Sequence, residues 1–238
     1  FEALRDNTTG NRNIAIGYQA MFDGTTTGDN NIAIGVSAGD ALTSGYSNIL
    51  MGKDAGGAIQ GGYSNTFIGV APGDAVTSAY YNVAIGDNPF SYATTSIGNV
   101  AIGRMALHYH NPTSETSGYN VAIGTEAGRK WGATNSSPYG VHNTGVGAYA
   151  GRYINTGKDN VFVGYQAGMS DDGASGTASG SVFLGVAAGA TVTTGNHNIA
   201  IGWDSMNGGV VTGDNNIAIG ASAGDALTSG VQNIILGK

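Results

Sequence analysis

Apolar and polar positions alternate along this chain in short bursts that recur at a fixed spacing. Asn-Ile-Ala-Ile-Gly at Asn13–Gly17 returns unchanged at Asn31–Gly35, Asn198–Gly202 and Asn216–Gly220, and in looser form nine more times. Counted from the Gly that closes each copy, the thirteen copies end at Gly17, Gly35, Gly52, Gly69, Gly86, Gly103, Gly124, Gly147, Gly164, Gly185, Gly202, Gly220 and Gly237. Seven of the twelve intervals are 17 residues and two are 18; those before Gly124, Gly147 and Gly185 are 21, 23 and 21. The residue after the Asn is always Ile, Val or Thr, and the third is always aliphatic. Between them stands Ala, or else Leu50, Phe67, Gly145, Phe162, Phe183 or Ile235. A period of two predicts a strand, with the flanking pair on one face and the middle residue on the other. The constant flanking pair is expected inward and the variable middle residue outward. β-branched residues suit a pleated surface, and a Gly every few residues argues against a helix.

Past each closing Gly the pattern continues more loosely. The third residue on is usually Ala and the fourth usually Gly, the exceptions at the fourth being Met21, Phe90, Leu107 and Met206. An apolar residue often returns at the seventh: Leu42, Ile59, Val76, Trp131, Ile154, Val192, Leu227. This predicts a second, weaker strand, followed by a polar turn such as Thr27-Gly28-Asp29-Asn30. Such a unit cannot stand alone. Two inward aliphatics contribute roughly 3–6 kcal/mol, whereas ordering the backbone of the unit costs roughly 17 kcal/mol or more. Stability must come from stacking. The expected fold is therefore all-β, a parallel β-solenoid of about thirteen ~17-residue coils, forming a rod of about 60 Å. Residues 1–238 read as one continuous array, with loop insertions near 107–117, 130–142 and 170–180 on one edge. Thr27–Gly45 and Thr212–Gly230 are the same but for Val36 and Ala221, a close duplication. Both ends fall at the same phase of the repeat, which leads to the expectation of a segment of a longer fibre, or of a subunit stacking head to tail.

The Asn recurs in twelve of thirteen copies, at Asn13, Asn31, Asn48, Asn65, Asn82, Asn99, Asn120, Asn143, Asn160, Asn198, Asn216 and Asn233, with Ser181 as the exception. Stacked coils would place these side chains above one another as a structural ladder bonding turn backbone and each other.

Composition narrows the functional classes. Gly is 42 of 238 residues, without the strict period of collagen, and 11% of residues are charged. The net charge of −7 offers no basic stripe for nucleic acid. There is no Cys, so neither disulfides nor thiolate metal sites arise. No apolar run approaches the ~18 residues of a membrane helix, and no membrane insertion is expected.

The pattern N-[IV]-A-I-G-x-x-A-G, with T-G-x-x-N before it, resembles the head repeats of trimeric autotransporter adhesins. It is still more similar to the repeats of phage tail-fibre and bacterial fibre proteins, written N-T-A-I-G-Y-x-A. Asn13 to Ala20 matches these nearly residue for residue, and the resemblance covers the whole chain. It implies a left-handed β-roll, three chains side by side as a homotrimer, and a fibre or adhesin module outside the cell, on a cell surface or a virion. The 17-residue coil is longer than those of the autotransporter heads, and no coiled-coil stalk or membrane anchor accompanies it here.

Candidate chemistry is sparse. Gly35–Gly39 and Gly220–Gly224 match G-x-S-x-G, but equivalent coils carry Asp54, Glu126 or Gln166 at the Ser, which makes it a variable turn position without the strand–elbow–helix context. Asp40, Asp74 and Asp225 share one phase and Asp29 and Asp214 another, on scattered coils; they read as solvated turn residues rather than a Ca²⁺ site. His108-Tyr109-His110 reads as an alternating strand with both imidazoles on one face, at the surface; no metal or cofactor site is expected, and no catalysis. Asn7-Thr8-Thr9 and Asn135-Ser136-Ser137 are glycosylation sequons. The first two insertions hold His108, Tyr109, His110, Trp131, Tyr139 and His142, and aromatics beside polar turns grip sugars or protein surfaces. These six are the candidate contacts to a cell-surface glycan or protein receptor. The expected function is a non-catalytic structural or adhesive fibre module, with Phe67, Phe162 and Phe183 outward and covered by neighbouring chains. The alternative is a surface-binding solenoid of another class, such as an ice-binding or glycan-binding protein; ice binding needs a regular Thr face, and Thr does not recur at one phase in every coil.

Overall fold

The computed structural model describes residues 2–111, 118–133, 140–170 and 176–237. Every repeat forms a strand, and no helix occurs among the described residues. The strands are β1 (Ile14–Ile16), β2 (Ile32–Ile34), β3 (Ile49–Met51), β4 (Thr66–Val70), β5 (Val83–Asp87), β6 (Val100–Ile102), β7 (Val121–Ile123), β8 (Thr144–Val146), β9 (Val161–Val163), β10 (Val182–Leu184), β11 (Ile199–Ile201), β12 (Ile217–Ile219) and β13 (Ile234–Leu236). They make one parallel sheet in sequence order, each strand meeting only the one before and the one after. Register is strict, with Ile14 opposite Ile32 and Ala15 opposite Ala33. The chain is a β-solenoid of about 17 residues per turn, and the irregular spacings leave the register intact, as Val100 opposite Val121 shows.

The faces of the strands are the reverse of the sequence expectation. The middle residue points into the core: Ala33, Leu50, Phe67, Ala84, Phe162 and Phe183 are fully buried. The flanking residues face outward, and none of them is buried; Ile16 is 58% exposed and Leu184 44%. Phe67, Phe162 and Phe183, expected to need a neighbouring chain for cover, are enclosed by their own coils.

Among the described residues the second strand does not form. The residues two and four past the closing Gly take left-handed φ, as at Ser37 (53°) and Gly39 (59°), Asn88 (52°) and Phe90 (59°). Two such residues in five turn the chain and end any extended run. The apolar residues expected on a second strand sit at the end of this turn, and the return side keeps only single bridges, such as Tyr63 to Tyr80 and Tyr80 to Ile97. Each left-handed turn is bonded to the preceding coil: Ser37 N donates to the Tyr18 carbonyl and Asp54 N to that of Val36. At the closing Gly itself, φ is +141° at Gly35, and a Cβ there would run into the Gly52 carbonyl one coil on. Only Gly fits a backbone so turned and so closely stacked.

The core is filled from four places per coil: the third residue past the Gly, a buried Ala in most coils, and the strand middle, the fourth residue and the seventh. Their sizes trade against each other. Phe67 faces Gly73 and is followed by Val76, whereas Ala84 leaves room for Phe90 and is followed by Ala93. Met206 likewise accompanies Ala200 and Gly209. Trp131 explains the one Gly at a strand middle: a Cβ on Gly145 would lie 2.8 Å from its ring. This trade is the signature of close packing.

Along one corner runs the Asn ladder. The Asn48 side-chain amide donates to Asn31 Oδ1 (3.0 Å) and to the Gly62 carbonyl (2.8 Å), while its own Oδ1 accepts from the Asn65 backbone N–H (3.0 Å). The same bonds recur from coil to coil. Ser181 fits the series with a shorter side chain, its N–H bonded to Asn160 Oδ1 and its Oγ accepting from Asn198 N.

Candidate functional site

The wall across the core from the sheet carries the chemistry. Its direction follows from packing: a Cβ on Gly39 would point at Leu50 Cδ1, so the turn and the strand face each other across the core. The fifth and sixth residues past each closing Gly lie on this wall, some exposed, such as Tyr92, and some buried, such as Tyr153. The fifth position is Asp40 on the second coil and Asp74 on the fourth; on the sixth to eighth coils it is His108, Arg129 and Arg152. From the fifth to the eighth coil the sixth position reads Tyr92, Tyr109, Lys130 and Tyr153. Stacking at one coil per step brings residues about twenty apart in sequence into a single cluster.

At its centre lies Glu126, with 9% of its side chain exposed, and three guanidinium groups surround it. Arg104 donates to Oε1 at 3.2 Å and Arg129 approaches Oε2 at 3.5 Å. Arg152 closes on Oε2 as an ion pair not aligned as a hydrogen bond. Arg129 also lies over the Tyr109 ring (5.0 Å), and Arg152 over Tyr149 and Tyr153. One carboxylate thus serves three arginines, and the aromatic faces hold the remainder through cation–π attraction. Beside them Tyr92, Tyr109, Asn111, Arg129, Lys130 and Ala133 line a pocket of about 430 Å³, within the range of small-ligand sites.

The six residues singled out from sequence divide. Trp131 is fully buried, its indole N–H donating to the Gly151 carbonyl at 2.7 Å. His110 is fully buried as well; Nδ1 faces the Trp131 carbonyl (2.8 Å), which only accepts, so Nδ1 carries the proton and Nε2 accepts from Ser96 Oγ (2.7 Å). Burial pushes its pKa down to about 4. The expected His108-Tyr109-His110 surface strand is a turn, with His108 largely buried edge-on against Tyr92 and Tyr109. Of the six, Tyr109 lines the pocket, and His142 is exposed on another corner, paired with Asp159 at 3.1 Å. Tyr139, with the middles of all three insertions, lies outside the described residues. Asp40 and Asp74, expected to be solvated, are half-buried, and burial raises both their pKa values above the ordinary range. No group of three His, Asp or Glu able to hold a metal occurs among the described residues.

Sequence reasoning missed Tyr92, Asn111, Arg129 and Lys130. The signal that could have found them is columnar: of the nine Lys and Arg, Arg104, Arg129, Lys130 and Arg152 fall on three successive coils. A second aromatic feature is a ladder of Tyr46, Tyr63 and Tyr80, stacked face to face at 4.8 and 4.7 Å.

Fold and surface together define a β-solenoid repeat protein with a localised basic-aromatic cluster. The chain matches no known family, no curated protein and no solved structure. No helix among the described residues is long and apolar enough to cross a membrane.

Proposed function

We propose that this chain is a non-catalytic fibre module that assembles with copies of itself through its sheet face, and that the opposite wall presents the surface for attachment outside the cell. What supports this is the outward face of the sheet. Thirteen parallel strands in register carry an outward flanking residue at each end, every one aliphatic except Thr66 and Thr144. The stripe runs about 58 Å at one strand spacing per coil. Soluble monomers rarely expose a continuous apolar patch beyond a few hundred Å², whereas homo-oligomers bury such faces symmetrically. Three copies side by side, as the sequence resemblance implies, would cover it. Multi-angle light scattering tests the reading: a trimer is expected, with Ile102→Lys and Ile123→Lys together shifting the mass to one chain. A wild-type monomer at tens of micromolar would sink it.

A further inference from the structure

The pocket beside Arg129 reads as a site for a sugar that carries a carboxylate. It is built rather than incidental. Arg129 is held on one side by Glu126 and on the other by Tyr109, over whose ring it lies and to whose hydroxyl it donates at 3.4 Å. Tyr92 and Tyr109 pack against each other at 5.1 Å with their planes tilted by 35°, two adjoining rings in the pocket lining, and Tyr92 is 51% exposed. Asn111 Oδ1 accepts from Thr94 Oγ1 at 3.1 Å, which leaves its amide N–H groups to face a ligand. The nitrogen groups lining the pocket are all donors: guanidinium, ammonium and carboxamide.

A donor-lined, cationic pocket calls for an acceptor-rich anion, and a planar guanidinium suits a planar carboxylate. The tyrosine faces suit the apolar face of a pyranose ring, as aromatic surfaces generally pack flat apolar groups. Nucleic acid shares the taste for Tyr and Arg but needs a basic track, and along this wall Asp40 and Asp74 precede the cluster. We propose that the pocket binds the uronic-acid unit of an acidic polysaccharide, with Arg129 on the carboxylate and Tyr92 and Tyr109 against the ring. This deepens the attachment role proposed above and rests on it.

Isothermal titration of the full chain with a glucuronate-containing tetrasaccharide tests the assignment. Binding is expected to weaken about tenfold or more for the carboxyl-reduced tetrasaccharide, the loss typical of a charge-assisted hydrogen bond. Tyr92→Ala, at the surface, and Arg129→Gln are each expected to weaken it by about fivefold or more, and Tyr46→Ala, in the separate tyrosine stack, to leave it unchanged. The assignment is overturned if the reduced sugar binds equally, if inorganic sulfate or a short oligodeoxythymidylate binds as tightly, or if neither pocket variant weakens binding. It is also overturned if no heat is seen up to about 10 mM sugar, beyond the weakest affinity a pocket of this kind would show. Light scattering on the same samples keeps the two readings apart: an intact oligomer without sugar binding removes the pocket alone, and a monomer removes the fibre assembly.

Discussion

Single residues hold this molecule at two kinds of place, the ladder corner and the buried imidazole. Asn65 makes a full set of bonds: its amide donates to Asn48 Oδ1 and to the Ala79 carbonyl, and its Oδ1 accepts from Asn82. Asn65→Ala strands several buried groups at once, so a loss of about 3 kcal/mol is expected in urea unfolding, above the ~1 kcal/mol of one ordinary hydrogen bond. His110 sets a pH dependence. Its folded pKa of about 4 lies below the ordinary 6.5, so the unfolded chain takes up a proton that the folded chain refuses. Stability is therefore full above pH 6.5 and declines as pH falls towards 4, by about 3 kcal/mol in all for this group. His110→Gln should flatten that part of the pH profile. Asp74 acts in the opposite sense: burial raises its pKa, so its ionisation costs stability as pH rises through the acid range. Asp74→Asn is expected to stabilise slightly at pH 7 and to lose that advantage in acid, as thermal melts at the two pH values would show.

The coil is the element of this fold, and its core tolerates exchange only within a fixed volume. Gly145 and Trp131 are one such exchange, the missing Cβ of the first making room for the ring of the second. Gly145→Ala overpacks this layer and is expected to cost about 1–3 kcal/mol. Trp131→Phe alone also destabilises, since it empties space and leaves the Gly151 carbonyl without its donor. Together the two substitutions should cost less than their sum by about 1 kcal/mol, a coupling that a double-mutant cycle reads directly. The period of the strands, their length and the closing Gly were all legible in sequence. Which face was core was not. The constancy of the flanking residues suggested burial, yet constancy here reflects an in-register ladder in which like residues stack on like. The true core position was the variable one, because its size answers to Phe90 or Trp131 across the coil.

At the scale of the whole molecule, stability is a chain of nearest-neighbour terms, since each strand meets only the adjoining strands. Association through the sheet face would add to this by mass action. The melting temperature is then expected to rise by several degrees when the protein is concentrated a hundredfold, and calorimetry of the Ile102→Lys/Ile123→Lys variant should show no such rise. A concentration-independent melt in both proteins would contradict assembly through this face. The basic-aromatic cluster also belongs to this scale. Its members come from Tyr92 to Arg152, and only the stacking of coils makes them neighbours.

The sequence by itself determined the parallel β-solenoid, its repeat and its Asn ladder, because period-two alternation and a recurring Asn and Gly admit few backbones and repeat without ambiguity. The tertiary structure alone decided the inside and outside of each strand, the burial of Trp131 and His110, and the pocket beside Arg129. Period two separates two faces without labelling them. The label comes from what lies across the core, a turn whose left-handed residues bring its small and large side chains to the strand middles and leave the aliphatic pairs facing out.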